Sequence, residues 1–335
     1  MRLILHIGAA TCGSSSIHHY LATNASALRA NGVMIPDGML DITGDITGEQ
    51  VRFFQDLLRV PRPHVVVRDK LKALKIRMAA TGLHTMIVSA PILMSDPIFP
   101  AACAAALTFF PDVRIVSYIR RQDDYLISAW RRWWFKKYPS ISSYIESVLG
   151  READWSGILK PWERIYGRSR ITVRLFQQGS LLADDIVEDF LASFQISRNR
   201  CLANPAWVNV TMDETLIEIA GAIGDIFASQ PESEFLKLAT ELLGKSAVKT
   251  YAGSRLLSLD ERRAILRRYE VGNEAVRRNY FPSLPVGRPL FREPSPQDVV
   301  TLSGEDRARL REHLMLRLLK ALAERAGETE LAEAG

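Results

Sequence analysis

The chain has 335 residues, of which 47% are hydrophobic and 24% charged. That balance can fill a large core and excludes an intrinsically disordered chain. The net charge of +5 is compatible with an anionic ligand and is weak evidence for nucleic acid, so no nucleic-acid partner is expected. Three widely separated cysteines, Cys12, Cys103 and Cys201, give neither a disulfide framework nor a metal-ligand spacing, which points to a reducing, cytoplasmic setting and no metal.

In chain order, Arg2 to Ile7 reads as a short buried strand ended by Gly8, with an apolar run too brief for a secretion signal. Gly8 to Gly13 is a turn, and Ser14 to Ala30 has helical periodicity through Ile17, Leu21, Ala25 and Leu28. Gly32 stops that helix, and Val33 to Ile35 is extended. Asp37 to Gly48, rich in Gly and Asp, reads as a mobile loop. Helices are expected over Gln50 to Val60 and Val66 to Ala80, then a core strand over Thr85 to Ser89. A helix over Ile98 to Phe110 precedes a strand over Val113 to Ile119, and Gln122 to Tyr138 is a helix dense in Trp and Arg. Trp155 to Tyr166 (helix), Ile171 to Leu175 (strand) and Leu181 to Phe194 (helix) follow.

This alternation predicts an α/β three-layer fold, a mostly parallel sheet flanked by helices. Residues 1–198 form that core. Residues 199–335 form a helical C-terminal extension on the same domain, with helices at Asp213 to Ala228, Glu234 to Leu243, Leu259 to Asn279 and Glu305 to Glu324, and a frayed end from Ala326. No apolar stretch approaches the roughly eighteen residues of a membrane span.

The chemistry concentrates at Gly8-Ala9-Ala10-Thr11-Cys12-Gly13-Ser14-Ser15-Ser16, placed after a strand and opening a helix. Backbone amides and a helix N-terminus there face outward together, the arrangement that binds phosphate. Gly8 and Gly13 meet the G-x-x-x-x-G spacing of a phosphate loop, but Ser14 stands where a nucleoside-triphosphate loop carries lysine. That argues against magnesium-triphosphate chemistry. The plainer alternative is a Gly/Ser turn that only caps a helix. A second cluster lies between Pro111 and Ser140, where seven Lys or Arg face three Asp. It reads either as a solvated helix face or as an anion-holding patch.

The stretch Leu5-His6-Ile7-Gly8 through Gly13-Ser14-Ser15-Ser16-Ile17, then Tyr20-Leu21-Ala22, Asn24, Leu28 and Gly32-Val33 to Pro36, resembles the N-terminus of bacterial sulfotransferases that use 3′-phosphoadenosine 5′-phosphosulfate (PAPS). Arg120 and Ser128, eight residues apart within Ser-Tyr-Ile-Arg-Arg-Gln-Asp-Asp-Tyr-Leu-Ile-Ser, match a second pattern of that family. Weaker similarity runs through Trp162 to Phe176, Asp189-Phe190-Leu191, Asn209-Val210 and Leu259 to Phe281 with Asn273. The resemblance implies PAPS as donor, held at its 5′ end by Thr11, Cys12, Gly13, Ser14, Ser15 and Ser16 and at its 3′-phosphate by Arg120 and Ser128, with Arg121 as a further candidate. It implies direct, metal-free transfer to a hydroxyl or amine of a small-molecule or saccharide acceptor.

Two positions depart from the family. Its loop lysine falls on Thr11, and the glutamate base that often follows the second strand is replaced by Ala90-Pro91. Thr11 and His18 are therefore the candidates for the catalytic positions, His18 because imidazole titrates near neutrality. His19, Arg68 and Lys70 are further replacements, and Cys12 at a helix start is either a nucleophile or a small loop residue. Trp130-Arg131-Arg132-Trp133-Trp134 suits a sugar or acidic acceptor, or else supplies core aromatics with solvated arginines. Two functions follow: an active sulfotransferase, or a PAPS- or PAP-binding pseudoenzyme.

Overall fold

The computed structural model describes residues 1–196, 213–222, 232–244 and 253–333. Cys201, Asn209-Val210 and 223–228 of one expected helix lie outside them. The elements in order are β1 (Arg2–His6), α1 (Ser14–Thr23), α2 (Ala25–Ala30), β2 (Val33–Met34), α3 (Val51–Leu57), α4 (Pro63–Ala80), β3 (Thr85–Ser89), α5 (Ile98–Ala102), α6 (Ala106–Phe109), β4 (Asp112–Ile119) and α7 (Gln122–Ala129). Then come α8 (Ile141–Val148), α9 (Trp155–Tyr166), β5 (Ile171–Leu175), α10 (Ile186–Ser193), α11 (Glu214–Ala222), α12 (Glu232–Leu243), α13 (Leu259–Tyr280) and α14 (Gly304–Glu333). Among the described residues no helix is long and apolar enough to cross a membrane.

The chain divides into two compact units. The first comprises Met1–Gln122, Ala153–Asn209 and Tyr269–Arg292. Its sheet runs β2-β3-β1-β4-β5, and every pairing is parallel. The α/β expectation therefore holds, with helices as the crossovers that parallel strands require. The central strands are continuous apolar runs because both faces are covered. β1 is the central strand: the chain leaves it for the β2 edge, returns through β3, and crosses to β4 on the other side. Such a reversal of strand order opens a crevice at the strands' carboxyl ends, where α/β sheets place ligands.

Local chemistry explains where element boundaries differ from expectation. The helix expected over Ser14 to Ala30 breaks at Asn24, whose side-chain amide donates to the Tyr20 carbonyl at 2.9 Å and competes for it with the backbone. The helix expected over Ile98 to Phe110 splits into α5 and α6, joined by tight turns in which Ala104 N–H donates to Ala101 O at 3.2 Å and Ala106 N–H to Cys103 O at 3.0 Å. Consecutive tryptophans end α7 early in a wide π-turn, Trp130–Trp134, closed by Phe135 N–H to Trp130 O at 2.9 Å. α8 had a legible signal, since Ser140 caps it by accepting from Ser143 N–H at 3.1 Å. The Gly/Asp-rich segment after Pro36 carries its own frame: the Asp37 carboxylate accepts from the amides of Met39, Asp41 and Gly44 at 2.8–2.9 Å.

The second unit comprises Asp123–Glu152, Val210–Arg268 and Glu293–Gly335. One member of the basic cluster, Arg131, is spent here on a buried carboxylate. Glu214 takes Arg131, the Ser254 hydroxyl at 2.7 Å and the Arg255 amide at 3.0 Å. Arg262 bridges Asp123 at 2.5 Å and Asp124 at 2.9 Å. Trp130 is buried and its indole donates to Tyr138 O at 3.0 Å, while Trp134 stacks on Tyr144 with centroids 6.2 Å apart. Arg131 is thus held largely inside this unit by its pairing with Glu214.

In the first unit, buried Asp189 accepts from the Tyr118 hydroxyl at 2.8 Å, Arg174 Nε at 2.9 Å and the Leu182 amide at 3.0 Å. Burial alone would raise its pKa, but these donors outweigh it and hold the carboxyl below its ordinary value. A depressed carboxylate pKa stabilises the fold above the ordinary carboxylate range and ceases to do so as pH falls through it. Asp189→Ala is expected to cost about 3 kcal/mol, since it strands Tyr118 and Arg174 without their acceptor. Urea unfolding at pH 7 measures the loss, and the gap between wild type and variant should narrow as the buffer is taken towards pH 3.

Candidate functional site

The loop from β1 to α1 is fixed at its root by the sheet. Past the end of β1, Ile7 N–H donates to Val116 O at 2.9 Å and Ala9 N–H to Tyr118 O at 2.8 Å. The Ser117 hydroxyl caps Gly8 O at 2.5 Å. Gly8 has φ +89°, and a Cβ there would lie 2.6 Å from Pro91 Cα. Gly13 has φ +79°, and a Cβ would lie 2.4 Å from Ile186 Cδ1 and 2.8 Å from Phe176 Cε2. Both glycines are therefore required twice over, by backbone conformation and by close approach. Thr11 also takes a left-handed φ of +59°, uncommon for a β-branched residue and typical of loops shaped for a ligand.

Gly13 caps α1 but contributes no side chain to it. The first amides of that helix have no partner within it, apart from Ser16 N–H, which turns back to Gly13 O at 3.0 Å. The hydroxyls of Thr11 and Ser14 are buried and lack a hydrogen-bond partner. Buried polar atoms are almost always paired, so two orphaned hydroxyls beside a helix N-terminus fit an anion's acceptor oxygens. Cys12 is wholly buried, and burial pushes its thiol up to about 12, partly offset by the Arg120 charge. Such burial disfavours the thiolate that a nucleophile would need.

Arg120 follows β4 directly and reaches this loop: a guanidinium nitrogen lies 3.5 Å from Thr11 O, and the group rests over the Phe176 ring at 5.8 Å. Its backbone is pinned by the Trp155 indole, which donates to Arg120 O at 2.9 Å. Arg121 is buried and directed elsewhere, 3.4 Å from Arg292 O. The structure thus brings Thr11, Cys12, Gly13, Ser14, Ser15, Ser16 and Arg120 together, while Arg121 lies against Arg292 O. Ser128 is half-buried on α7 in the second unit. Lys70 is paired with Asp41 at 3.0 Å and Arg68 with Asp69 at 2.9 Å.

His18 is the surprise of the site. One turn beyond Ser14, its Nε2 lies 2.8 Å from the Ser89 hydroxyl and its Nδ1 2.9 Å from a Glu49 carboxylate oxygen. The same hydroxyl lies 2.7 Å from His6 Nδ1. Parallel register puts His6 opposite Ser89, and Gln50 locks the neighbouring segment there: its backbone amide donates to Ser89 O at 2.9 Å and its side chain accepts from Ser89 N–H at 2.8 Å. His6 is fully buried, and burial, followed by the proximity of His18, lowers its pKa to about 3, so it is neutral. Ser89 and Glu49 escaped the sequence reading because nothing in their spacing links them to His18.

No protein-family model matches the chain, and no curated protein matches it. Among solved structures, a sulfotransferase from Alicyclobacillus acidocaldarius is similar over 70% of this chain and 93% of that one, at 17% identity and a TM-score of 0.39.

Gly8→Ala should be the more damaging loop substitution, because the obstructing atom is backbone, whereas Gly13→Ala meets side-chain tips that can shift. We expect losses of about 3 and about 1–2 kcal/mol respectively, read as falls in thermal midpoint. Acid sensitivity is a second expectation. His6 has a folded-state pKa of about 3 against the ordinary 6.5, so stability is intact above 6.5 and declines as pH falls towards 3. His6→Gln should flatten that decline in a pH series of unfolding curves.

Proposed function

We propose that the chain is a cytoplasmic sulfotransferase, moving a sulfuryl group from PAPS to a hydroxyl or amine of a small metabolite or saccharide. The observation that carries this reading is the meeting of Arg120 with the loop at Thr11 O, beside a helix start without a side-chain cap and two buried, unpartnered hydroxyls. The amides of Gly13, Ser14 and Ser15, with the Thr11 and Ser14 hydroxyls, would hold the 5′-phosphate end, and the loop backbone at Cys12 and Ser16 completes the cradle. Arg120 offers a permanently charged planar fork for the 3′-phosphate. Ser128 enters on sequence spacing, as the neutral donor paired with Arg120. The bound donor supplies an activated sulfuryl group. Attack by the acceptor oxygen and departure of the phosphate then need charge stabilisation and a proton acceptor.

A second reading, a PAPS- or PAP-binding protein without turnover, draws on a specific observation: Thr11 offers a hydroxyl where the reaction calls for a cation, and Lys70 is tied to Asp41. Calorimetric titration separates both readings from a triphosphate enzyme. PAP should bind without metal and ATP with magnesium should not. Arg120→Ala should weaken PAP at least tenfold, in line with about 1.5–3 kcal/mol for a charged hydrogen bond; unchanged affinity removes Arg120 from the site. Transfer from labelled PAPS to a saccharide and metabolite panel distinguishes enzyme from binder. Thr11→Lys should raise any transfer rate by about 100- to 1000-fold.

A further inference from the structure

We propose that Glu49, His18, Ser89 and His6 form a proton relay, joining a half-exposed carboxylate to a buried imidazole at the root of the phosphate loop, and that it supplies the acid–base function lacking after β3. The four groups are continuous at 2.9, 2.8 and 2.7 Å. The Ser89 hydroxyl has one proton and two imidazole neighbours, so it can donate to only one of them at a time. This forces a direction on the chain.

With His18 neutral, the Glu49 carboxylate draws the proton to Nδ1, leaving Nε2 to accept from Ser89. Ser89 in turn accepts from His6 Nδ1–H, and the His6 lone pair sits at Nε2, a buried atom with no partner. A proton arriving at His6 Nε2 reverses every bond. His6 Nδ1–H passes to Ser89, the Ser89 proton passes to His18 Nε2, and the added charge comes to rest as imidazolium against Glu49. One proton enters and no other atom is gained or lost. His6 stays neutral in both states, as its depressed pKa requires.

The groups facing the two imidazoles from neighbouring elements are few. β3 provides Ser89, the segment before α3 provides Glu49, and α10 provides the Phe190 ring, 5.6 Å from His6. β4 provides the Tyr118 ring, 6.0 Å from His6, with its hydroxyl committed to Asp189, which also binds Arg174. A Ser–His–carboxylate set also occurs in hydrolases, but Ser89 has no solvent exposure and its oxygen already receives His6, so it relays and does not attack.

The relay's use in turnover rests on the sulfuryl-transfer reading. There the acceptor's O–H bond breaks as its oxygen bonds sulfur, the sulfur–phosphate oxygen bond breaks with its electron pair leaving on PAP, and the proton is taken up by this chain. Ring-nitrogen NMR across pH tests the relay without substrate. As the pH is lowered, His6 should change from the Nδ1–H to the Nε2–H tautomer; a His6 tautomer that stays constant across the pH range overturns the proposal. In Ser89→Ala the coupling should vanish. Glu49→Gln, at a half-exposed position that leaves the core intact, should move the His6 tautomer transition to lower pH.

In labelled-PAPS assays Glu49→Gln should lower the transfer rate by about 100-fold and move the acid limb of its pH profile, with PAP affinity unchanged. An unchanged pH profile would count against the relay's catalytic use. A tautomer change without PAP binding would instead sink the sulfotransferase reading alone. Covalent capture of Ser89 by a fluorophosphonate would overturn the relay in favour of a nucleophile.

Discussion

The parallel ladder around β1 does not stop where the strand stops. Two further backbone bonds, from Ile7 to Val116 and from Ala9 to Tyr118, carry the sheet's order into the loop, and the Ser117 hydroxyl clamps Gly8 between them. Everything proposed for the site depends on that extension. It holds a left-handed Thr11 and a left-handed Gly13 in place without a capping side chain, so the first amides of α1 face outward. It also fixes the depth at which Arg120, the residue after the neighbouring strand, meets the loop. A rigid loop of this kind organises an anion site at little entropic cost on binding, because the backbone is ordered beforehand.

The second ordering principle is how the chain distributes charge. Sequence counting placed a basic surplus between Pro111 and Ser140, yet the structure divides those residues by task. Arg131 closes on buried Glu214, and Asp123 and Asp124 share Arg262. Of the adjacent pair, Arg120 reaches the loop after β1 at Thr11 O, while Arg121 lies against Arg292 O. Net charge over a segment cannot separate these roles, because an ion pair that joins residues more than eighty positions apart is invisible to local arithmetic.

Much of the fold was legible because its signals are local. β3, α9 and β5 fall where apolar runs and caps put them, at Thr85–Ser89, Trp155–Tyr166 and Ile171–Leu175. The loop from β1 to α1 was legible for the same reason, being nine consecutive residues. What escaped was either competition at a single atom, as when Asn24 splits one helix into two, or chemistry assembled across the sheet. Ser89 sits 71 positions from His18 and 83 from His6, and only the register of β1 on β3 makes them neighbours. The resemblance pointed to an empty carboxylate position beside Ser89, but not to the imidazoles that converge on the serine itself.

The indole of Trp155 has a consequence of its own. Its N–H is spent on the carbonyl of Arg120, and its ring is enclosed in the first unit's core. Any ligand that draws the Arg120 guanidinium also pulls on the peptide to which that indole is bonded, altering the polarity the ring senses. The protein therefore contains an intrinsic fluorophore bonded to the peptide of Arg120, and occupancy of the proposed anion site should be visible in its emission without any added dye.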